Sequence, residues 1–242
     1  MRRVIVVQAR TTSTRLPGKV LEDVAGRPML AQQLRRLAGC RLADELVVAT
    51  TVNATDDEVV AVARGEGARW FRGSERDVLE RYVGAAREAR ADLVVRVTAD
   101  CPLIDPTVID QACDRYARSR SDYVCFDGYP NGLGDVEVVR VAALRRAAAE
   151  TSTAETLYRE HVTTYLKAHP EIFVLAIGEA PVPCYRPELR LSVDEPADLE
   201  VVRAVVVHFG ARLDFTTAEV IAFLDAHPEI VALNRHVRQT TA

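Results

Sequence analysis

Three Val-rich runs that alternate with helical patterns constrain the fold of this chain more than any other feature. The runs lie at 3–8 (RVIVVQ), 45–50 (ELVVAT) and 92–98 (DLVVRVT), with amphipathic patterns between them at 28–38, 55–66 and 76–90. Strands that are apolar on both sides and alternate with helices are typical of a parallel sheet covered on both faces. The sequence therefore predicts an α/β fold with a mostly parallel sheet and helices on both faces.

The pattern changes between 129 and 177, after a further predicted strand at 122–126. This region begins with the turn-rich run GYPNGLGDVEVVRV, whose second half is strand-like. We predict helices at 141–150 and 154–168 and a strand at 172–177, followed by helices at 196–208 and 217–226. No linker or repeat interrupts the chain, so we expect a single domain over 1–242 with 129–177 as an embedded subdomain.

Composition argues against several classes of function. No apolar run approaches the roughly 18 residues that a membrane span needs, and VIVV is too short for a signal peptide, so we expect a cytoplasmic protein without a membrane partner. The net charge of −4 argues against a nucleic-acid partner, which usually requires a basic face. The five cysteines are scattered without ligand spacing, and we interpret them as reduced thiols.

The first strand leads into a loop with an unusual composition, within the stretch QARTTSTRLPGKVL at 8–21. In open α/β sheets, ligands bind at the carboxyl ends of the strands, where this loop begins. It is longer than the usual two to six residues of such a connection. Arg10, Arg15 and Lys19 are cations, and residues 11–14 are all hydroxyl residues. A solvated surface loop is the alternative, but the combination favours a polyphosphate site. Val20 breaks the pattern of the Walker phosphate loop.

Two aspartates each follow a predicted strand. Asp100 ends the run RVTAD, and Asp194 ends the run LRLSVD. Either one could be only a turn or helix-capping residue, and Asp198 is explained by the helix dipole alone. Two strand-end carboxylates together, however, are what a magnesium ion bound to substrate phosphates requires. We therefore predict that Asp100 and Asp194 bind magnesium.

Five segments in order resemble the cytidylyltransferases that activate acidic sugars. They are QARTTSTRLPGKVL, RGSERDVLERY, RVTADCPLIDP, REHVTTY and LRLSVDEPADLE. The resemblance is closest to the branch often called spore-coat polysaccharide biosynthesis protein F, which is related to the keto-deoxyoctulosonate and acylneuraminate enzymes. It implies a Rossmann-type nucleotidyltransferase fold of the glycosyltransferase-A kind, usually homodimeric, that uses CTP and magnesium.

The resemblance also implies roles for individual residues. Its nucleotide-binding set is Gln8, Ala9, Arg10, Thr12, Ser13, Arg15, Lys19, Arg72, Gly73, Ser74, Thr98 and Ala99. Its acceptor-binding set is Asn131, Asp135, Glu137, Arg159, Glu160 and His161, and its metal ligands are Asp100 and Asp194. Arg10, Lys19, Asp100 and His161 would be catalytic.

The implied reaction is in-line attack of an acceptor oxygen on the α-phosphorus of CTP, with release of pyrophosphate. Arg10 and Lys19 would lie on the leaving pyrophosphate side. His161 would orient or deprotonate the nucleophile, and Arg159 would pair with an acceptor anion. The chain departs from the family at Thr11-Thr12, and GLGDVEV has one residue more than the usual run. The second departure leaves both a sugar acid and a small phosphonate open as the acceptor.

Two other functions compete with this one. A glycosyltransferase of the same fold would usually carry an Asp-x-Asp metal motif, and TADCPL lacks the second aspartate. A non-catalytic nucleotide-binding module is the other possibility. The presence of Arg10, Lys19, Asp100 and Asp194 together argues against it.

Overall fold

A computed structural model describes residues 1–238 of the chain. It contains a seven-stranded sheet in the order β3-β2-β1-β4-β6-β5-β7. The strands are β1 (Arg3–Gln8), β2 (Glu45–Thr51), β3 (Arg69–Gly73), β4 (Leu93–Thr98), β5 (Tyr123–Asp127), β6 (Glu137–Arg140) and β7 (Leu175–Glu179). All neighbouring strands are parallel except β6, which is antiparallel to β4 and β5. The predicted mostly parallel sheet is confirmed.

Ten α-helices surround this sheet within the described residues. They are α1 (Met29–Leu37), α2 (Asp57–Gly65), α3 (Val78–Glu88), α4 (Pro106–Ser119), α5 (Val141–Glu150), α6 (Thr156–Glu160), α7 (Thr164–Ala168), α8 (Pro196–Phe209), α9 (Thr217–Ala226) and α10 (Pro228–Asn234). Alternate side chains of β1 point to opposite faces. Ile5 and Val7 pack with buried residues of α1, α4, α8 and α9, whereas Val4 and Val6 pack with those of α3 and α5. Helices therefore cover both faces, as predicted.

The region 129–177 contributes to the main sheet. Strand β6 lies between β4 and β5, and its register pairs Glu137 with Arg96 and Val138 with Val95. Three helices from this region, α5, α6 and α7, follow β6 in the chain. Strand β6 thus lies inside the sheet, and its antiparallel pairing with β4 places Glu137 beside the middle of that strand.

Several predicted boundaries differ from the structure. The helix predicted at 154–168 is two short helices, α6 and α7, separated at residues 161–163. Thr163 lies in this break, and its hydroxyl donates to Glu137 over 2.8 Å. Such a side-chain bond competes with helical geometry. The strand predicted at 172–177 runs from Leu175 to Glu179, and α10 was not predicted.

The sheet brings distant loops together at one edge. The N–H of Ala9 donates to Ala49 at 3.2 Å, and the N–H of Ala99 donates to Gln8 at 3.0 Å. The segments that leave β1 and β4 therefore begin side by side. Within residues 1–238, no helix has both the length and the apolar character needed to cross a membrane.

Candidate active site

Three adjoining cavities open at the carboxyl ends of β1 and β4. The loop cavity, about 250 Å³, is lined mainly by residues 8–20 and 98–100. The deep cavity, about 480 Å³, extends from Asp100 to β6 and residues 190–194. The bridging cavity, about 120 Å³, lies between α3 and residues 160–161. Because Arg15, Thr98 and Asp100 line both the loop and deep cavities, the cavities form one cleft.

Most of the predicted site residues line this cleft. They are Gln8, Ala9, Arg10, Ser13, Arg15, Lys19, Thr98, Ala99, Asp100, Asn131, Asp135, Glu137, Glu160, His161 and Asp194. Residues from strands β1, β4 and β6 and from the segments near 131, 160 and 194 thus meet at one edge of the sheet. The cleft has the size of a small-molecule site, and its lining is mainly charged and polar.

The loop after β1 is held by two carboxylates from neighbouring connections. Asp56, which is fully buried, accepts from the Thr11 N–H at 2.8 Å and from the Thr11 hydroxyl at 2.7 Å. Glu75 accepts from the Thr12 hydroxyl and from the Asn53 amide. Burial acts to raise the pKa of Asp56, but hydrogen bonds from Thr51 and Thr11 outweigh it and hold that pKa below its usual value. The loop is therefore anchored before any ligand binds.

Gly18 closes the same loop. Its φ of 75° lies in the left-handed region that glycine adopts without steric cost. Its N–H donates to Thr11 at 2.8 Å. This turn directs the following residue, Lys19, into the interior, where its side chain is only 10% exposed.

Lys19 brings the two predicted metal-binding aspartates together. Its Nζ lies 2.9 Å from Asp194 Oδ1 and 3.8 Å from Asp100 Oδ2, and it donates to Val193 O at 2.6 Å. Two aspartates that are far apart in the chain therefore share one ammonium group, and Asp194 lies 175 positions from the lysine that supplies it. In this arrangement Lys19 offsets the repulsion between two carboxylates.

Asp194 has two further cationic partners. Arg15 Nη2 lies 2.9 Å from its Oδ1, and Arg190 Nη2 lies 2.6 Å from its Oδ2. Burial acts to raise the pKa of Asp194, but the charge of Lys19 and the hydrogen bonds from Lys19 and Arg190 hold it below its usual value. Asp194 is therefore held as a carboxylate.

The donor set fits a magnesium ion that also binds phosphate. No group of three or more His, Cys, Asp or Glu side chains in the described part of the chain could enclose a metal alone. Magnesium is commonly held by one or two carboxylates together with substrate phosphates and waters. Asp100 and Asp194 supply two carboxylates in the cleft, and the Asp100 side chain is 30% exposed.

A second charged cluster lines the deep cavity. Glu137 accepts from Arg96 at 2.6 Å, Tyr123 at 2.6 Å, Thr163 at 2.8 Å and Lys167 at 3.3 Å. Burial acts to raise the pKa of Glu137, but the charges of Arg96 and Lys167 and two hydroxyl donors lower it to about 2. Both oxygens of Glu137 are thus occupied, and it holds two cations at the cleft wall.

The remaining predicted acceptor residues surround this cluster. His161, at the break between α6 and α7, lines the deep and bridging cavities. Glu160 lines the loop and bridging cavities. Asn131 and Asp135 line the deep cavity, where Asp135 accepts from the N–H of Gly132.

Arg159, predicted to pair with an acceptor anion, lies outside the cleft lining. Its side chain is 9% exposed and forms an ion pair with Asp77 at 3.2 Å. It also donates to the carbonyls of Ala148 and Thr151. The five-residue helix α6 points this arginine toward α3 and α5, so its donors are used within the protein.

Four predicted nucleotide residues also lie outside the cleft lining. Thr12 uses its hydroxyl to hold Glu75. Arg72 donates to the carbonyls of Thr51 and Asn53 and pairs with Asp57. Gly73 and Ser74 follow it at the end of β3, where the Ser74 carbonyl accepts from Arg81. These residues support the neighbouring loops.

Sequence reasoning missed several charged residues of the cleft: Arg81, Arg96, Lys167 and Arg190. Arg96 had a visible signal, since it is a cation within the apolar run LVVRV of a buried strand. A charge at such a position needs a partner, which here is Glu137. The helix dipole alone does not explain Asp198, because its side chain is fully buried and forms an ion pair with Arg190 at 2.9 Å.

Comparison with known proteins finds similar sequences and structures. A family model described as cytidylyltransferase matches residues 4–219. The spore coat polysaccharide biosynthesis protein SpsF of Bacillus subtilis is 34% identical over 230 residues, which cover 93% of this chain and 95% of that protein. A 3-deoxy-manno-octulosonate cytidylyltransferase of Geobacter sulfurreducens is 40% identical over 110 residues, 44% of this chain and 42% of that protein. The solved structure of a cytidylyltransferase from Leptospira borgpetersenii has a TM-score of 0.88 and 28% identity, and the match covers 100% of this chain and 99% of that one.

The charged cluster predicts a specific pH dependence of stability. The pKa of Glu137 is about 2 in the folded protein against an ordinary value of 4.5. A carboxylate with a lowered pKa stabilises the fold above its ordinary pKa and loses that contribution as the pH falls through the folded value. Glu137→Gln should therefore cost on the order of 3 kcal/mol of unfolding free energy at neutral pH. The difference from wild type should shrink between pH 4.5 and 2.

Urea denaturation over a pH series measures this difference, with the exposed Glu58→Gln as the matched control. A Glu137→Gln penalty that is constant across the pH range would contradict the charged cluster as described.

Proposed function

The chain belongs to the cytidylyltransferase family, and on that premise we propose that it transfers CMP from CTP to an acidic acceptor and releases pyrophosphate. The resemblance found in its motifs is confirmed, as is the nucleotidyltransferase fold. The protein is a nucleotidyltransferase, which excludes the glycosyltransferase and the non-catalytic module as its class.

One observation carries the proposal: Lys19, Asp100 and Asp194 meet at the cleft into which the loop of residues 9–18 also opens. Arg10 and Arg15 belong to that loop, and their side chains are 34% and 41% exposed. Cations within reach of a polyphosphate form charge-assisted hydrogen bonds with its oxygens. The position of the loop supports its role as the triphosphate site.

In the proposed reaction, an acceptor oxygen forms a bond to the α-phosphorus of CTP. The bond from that phosphorus to the bridging oxygen of the β-phosphate breaks, and pyrophosphate leaves with the electron pair. Arg10 and Arg15 neutralise the charge that develops on the leaving group. Lys19, which was expected on the pyrophosphate side, instead holds the two aspartates together. Where the attacking group carries a proton, His161 is positioned at the cleft wall to accept it.

Magnesium, when bound, neutralises charge on the phosphate oxygens and aligns them for attack, and Asp100 and Asp194 are the residues that would hold it. Lys19 holds these carboxylates close together. Arg190 and Arg15 limit the rotation of Asp194. The protein contribution to the step is therefore preorganised charge.

We assign the anionic end of the acceptor to the wall formed by Arg96 and Lys167. Glu137 accepts from both cations but carries one negative charge, which leaves one positive charge at this part of the wall for a carboxylate or phosphonate. Asp135 lines the same cavity, and burial raises its pKa to about 6. Arg96 Nη2 has only a long contact of 3.4 Å with Gln8, which leaves donor capacity at the junction of the deep and bridging cavities. The partial match to a 3-deoxy-manno-octulosonate enzyme supports a sugar acid as the acceptor. The homodimer and the cytoplasmic location stay predictions.

Asp100→Asn tests the proposed site most simply. The neutral amide cannot replace the charge that a metal requires, so turnover should fall by about 100-fold or more with little change in Tm. Pyrophosphate release with CTP and magnesium measures turnover. Asp127→Asn, which changes an exposed aspartate at the end of β5, should behave as wild type. Wild-type turnover of Asp100→Asn would show that Asp100 is not a metal ligand.

Arg96→Lys tests the acceptor wall while keeping a positive charge near Glu137. Loss of the planar guanidinium should raise the acceptor KM by about 10-fold or more. The KM for CTP should stay within about twofold, because the triphosphate loop is unchanged. Arg118→Lys, on the exposed side of α4, is the matched control. An unchanged acceptor KM would place the anion elsewhere in the cleft.

A further inference from the structure

Asp198 is a charged residue with no exposed surface, located in the first turn of α8. Its Oδ2 accepts from the N–H groups of Asp194 at 2.9 Å and Glu195 at 3.0 Å. Its Oδ1 accepts from Arg190 Nε at 2.9 Å. A capping carboxylate explains the backbone bonds. It does not by itself explain why the same carboxylate also holds an arginine at the cleft.

One more bond reaches Asp198 from the far end of the described chain. Asn234, the last residue of α10, donates from Nδ2 to Asp198 Oδ1 at 2.9 Å and to Arg190 O at 3.0 Å. Its exposure is only 4%. Asn234 lies beyond residues 4–219, where the family model matches. The Asn234 amide thus binds the Asp198 carboxylate. It also binds the backbone of Arg190, whose guanidinium the same carboxylate holds.

These bonds form a continuous path from α10 to the cleft. Asn234 binds Asp198, Asp198 binds the guanidinium of Arg190, and Arg190 binds Asp194 Oδ2 at 2.6 Å. Arg190 is 9% exposed and Asp194 is 13% exposed, so neither side chain is free to move without breaking a buried ion pair. Water cannot readily replace such contacts, which makes each link costly to lose.

The charges along this path explain why the amide is needed. Asp198 and Asp194 are both anionic and share one guanidinium. Without Asn234, Arg190 would be the only side-chain donor to Asp198 in the described chain, while it also serves Asp194. Asn234 supplies the missing donor without adding charge. It also fixes Arg190 from the backbone side, so the guanidinium stays in position between the two carboxylates.

We propose that Asn234 is a positioning residue for nucleotidyl transfer, acting through Asp198 and Arg190 to fix the Asp194 carboxylate for magnesium. The proposal rests on the proposed function, in which Asp194 holds that ion. Partners of metal ligands commonly change metal affinity or activity by about 10-fold to 100-fold when they are removed. α10 is thereby part of the active site although no residue of it lines the cleft.

Asn234→Ala removes both donated bonds, and Leu233→Ala is the matched control, because Leu233 is the preceding residue of the same helix and is 45% exposed. Calorimetry gives CTP affinity as a function of magnesium chloride concentration. For Asn234→Ala, the magnesium concentration that produces half of the increase in CTP affinity should rise about 10-fold. CTP affinity without magnesium should stay within about twofold of the wild-type value. Leu233→Ala should match wild type.

Amide hydrogen exchange in the metal-free protein gives an independent readout. Exchange at Asp194 and Glu195, whose N–H groups donate to Asp198, should be faster in Asn234→Ala than in Leu233→Ala. A purely structural role for Asn234 would lower the Tm of Asn234→Ala and leave its magnesium dependence unchanged. If Asn234→Ala does not fold, Asn234→Ser, which keeps one donor, is judged by the same two measurements.

A folded variant at position 234 with the magnesium dependence of wild type overturns this inference and leaves the proposed function intact. If CTP affinity of the wild-type protein does not depend on magnesium, the metal assignment in the proposed function fails, and the role of Asn234 fails with it.

Discussion

The buried ammonium of Lys19 is the interaction on which the rest of the site depends. Asp100 and Asp194 would repel each other in a partly buried cleft, and a shared cation converts that repulsion into a stable arrangement. The open parallel sheet makes this possible, because β1 and β4 are adjacent and their carboxyl ends deliver Lys19 and Asp100 to the same place. Asp194 arrives from the segment before α8, where the N–H of Val193 donates to the carbonyl of Asp100 at 2.7 Å.

Ion pairs and hydrogen bonds also orient the side chains around this site. Asp56 and Glu75 anchor the loop at Thr11 and Thr12, so two residues that depart from the family pattern serve the shape of the loop. Glu137 holds Arg96 and Lys167 at the opposite wall. Most charged side chains of the cleft are thus oriented by a partner of opposite sign or by a hydrogen bond, which preorganises the cleft for an anionic substrate.

The sequence predicted the elements whose side chains follow strict patterns. Strands at 3–8 and 45–50 were placed within a residue, because apolar runs followed by polar loops are local signals. The meeting of Lys19 with Asp100 followed from the rule that parallel strands end at one edge. The prediction that Asp194 ends a strand was wrong, because residues 189–194 form only an isolated bridge at Arg190. The sequence could not show which arginine faces the cleft. Arg159 and Arg96 carry the same guanidinium group, and only the short helix α6 and the antiparallel strand β6 decide that one pairs with Asp77 and the other with Glu137. Asp198 was interpreted from its local helix position, whereas its partner Asn234 lies 36 residues away.

The fate of the α-phosphorus of CTP tests the central claim most directly. CTP labelled at the α-phosphate is incubated with magnesium and a panel of sugar acids and small phosphonates, with UTP, ATP and GTP compared under the same conditions. We expect the label in an acceptor-linked CMP ester, with one unlabelled pyrophosphate released per ester and lower turnover for the other three nucleotides. Label that appears only as free CMP, or equal turnover with ATP, would contradict transfer of CMP to an acidic acceptor at this cleft.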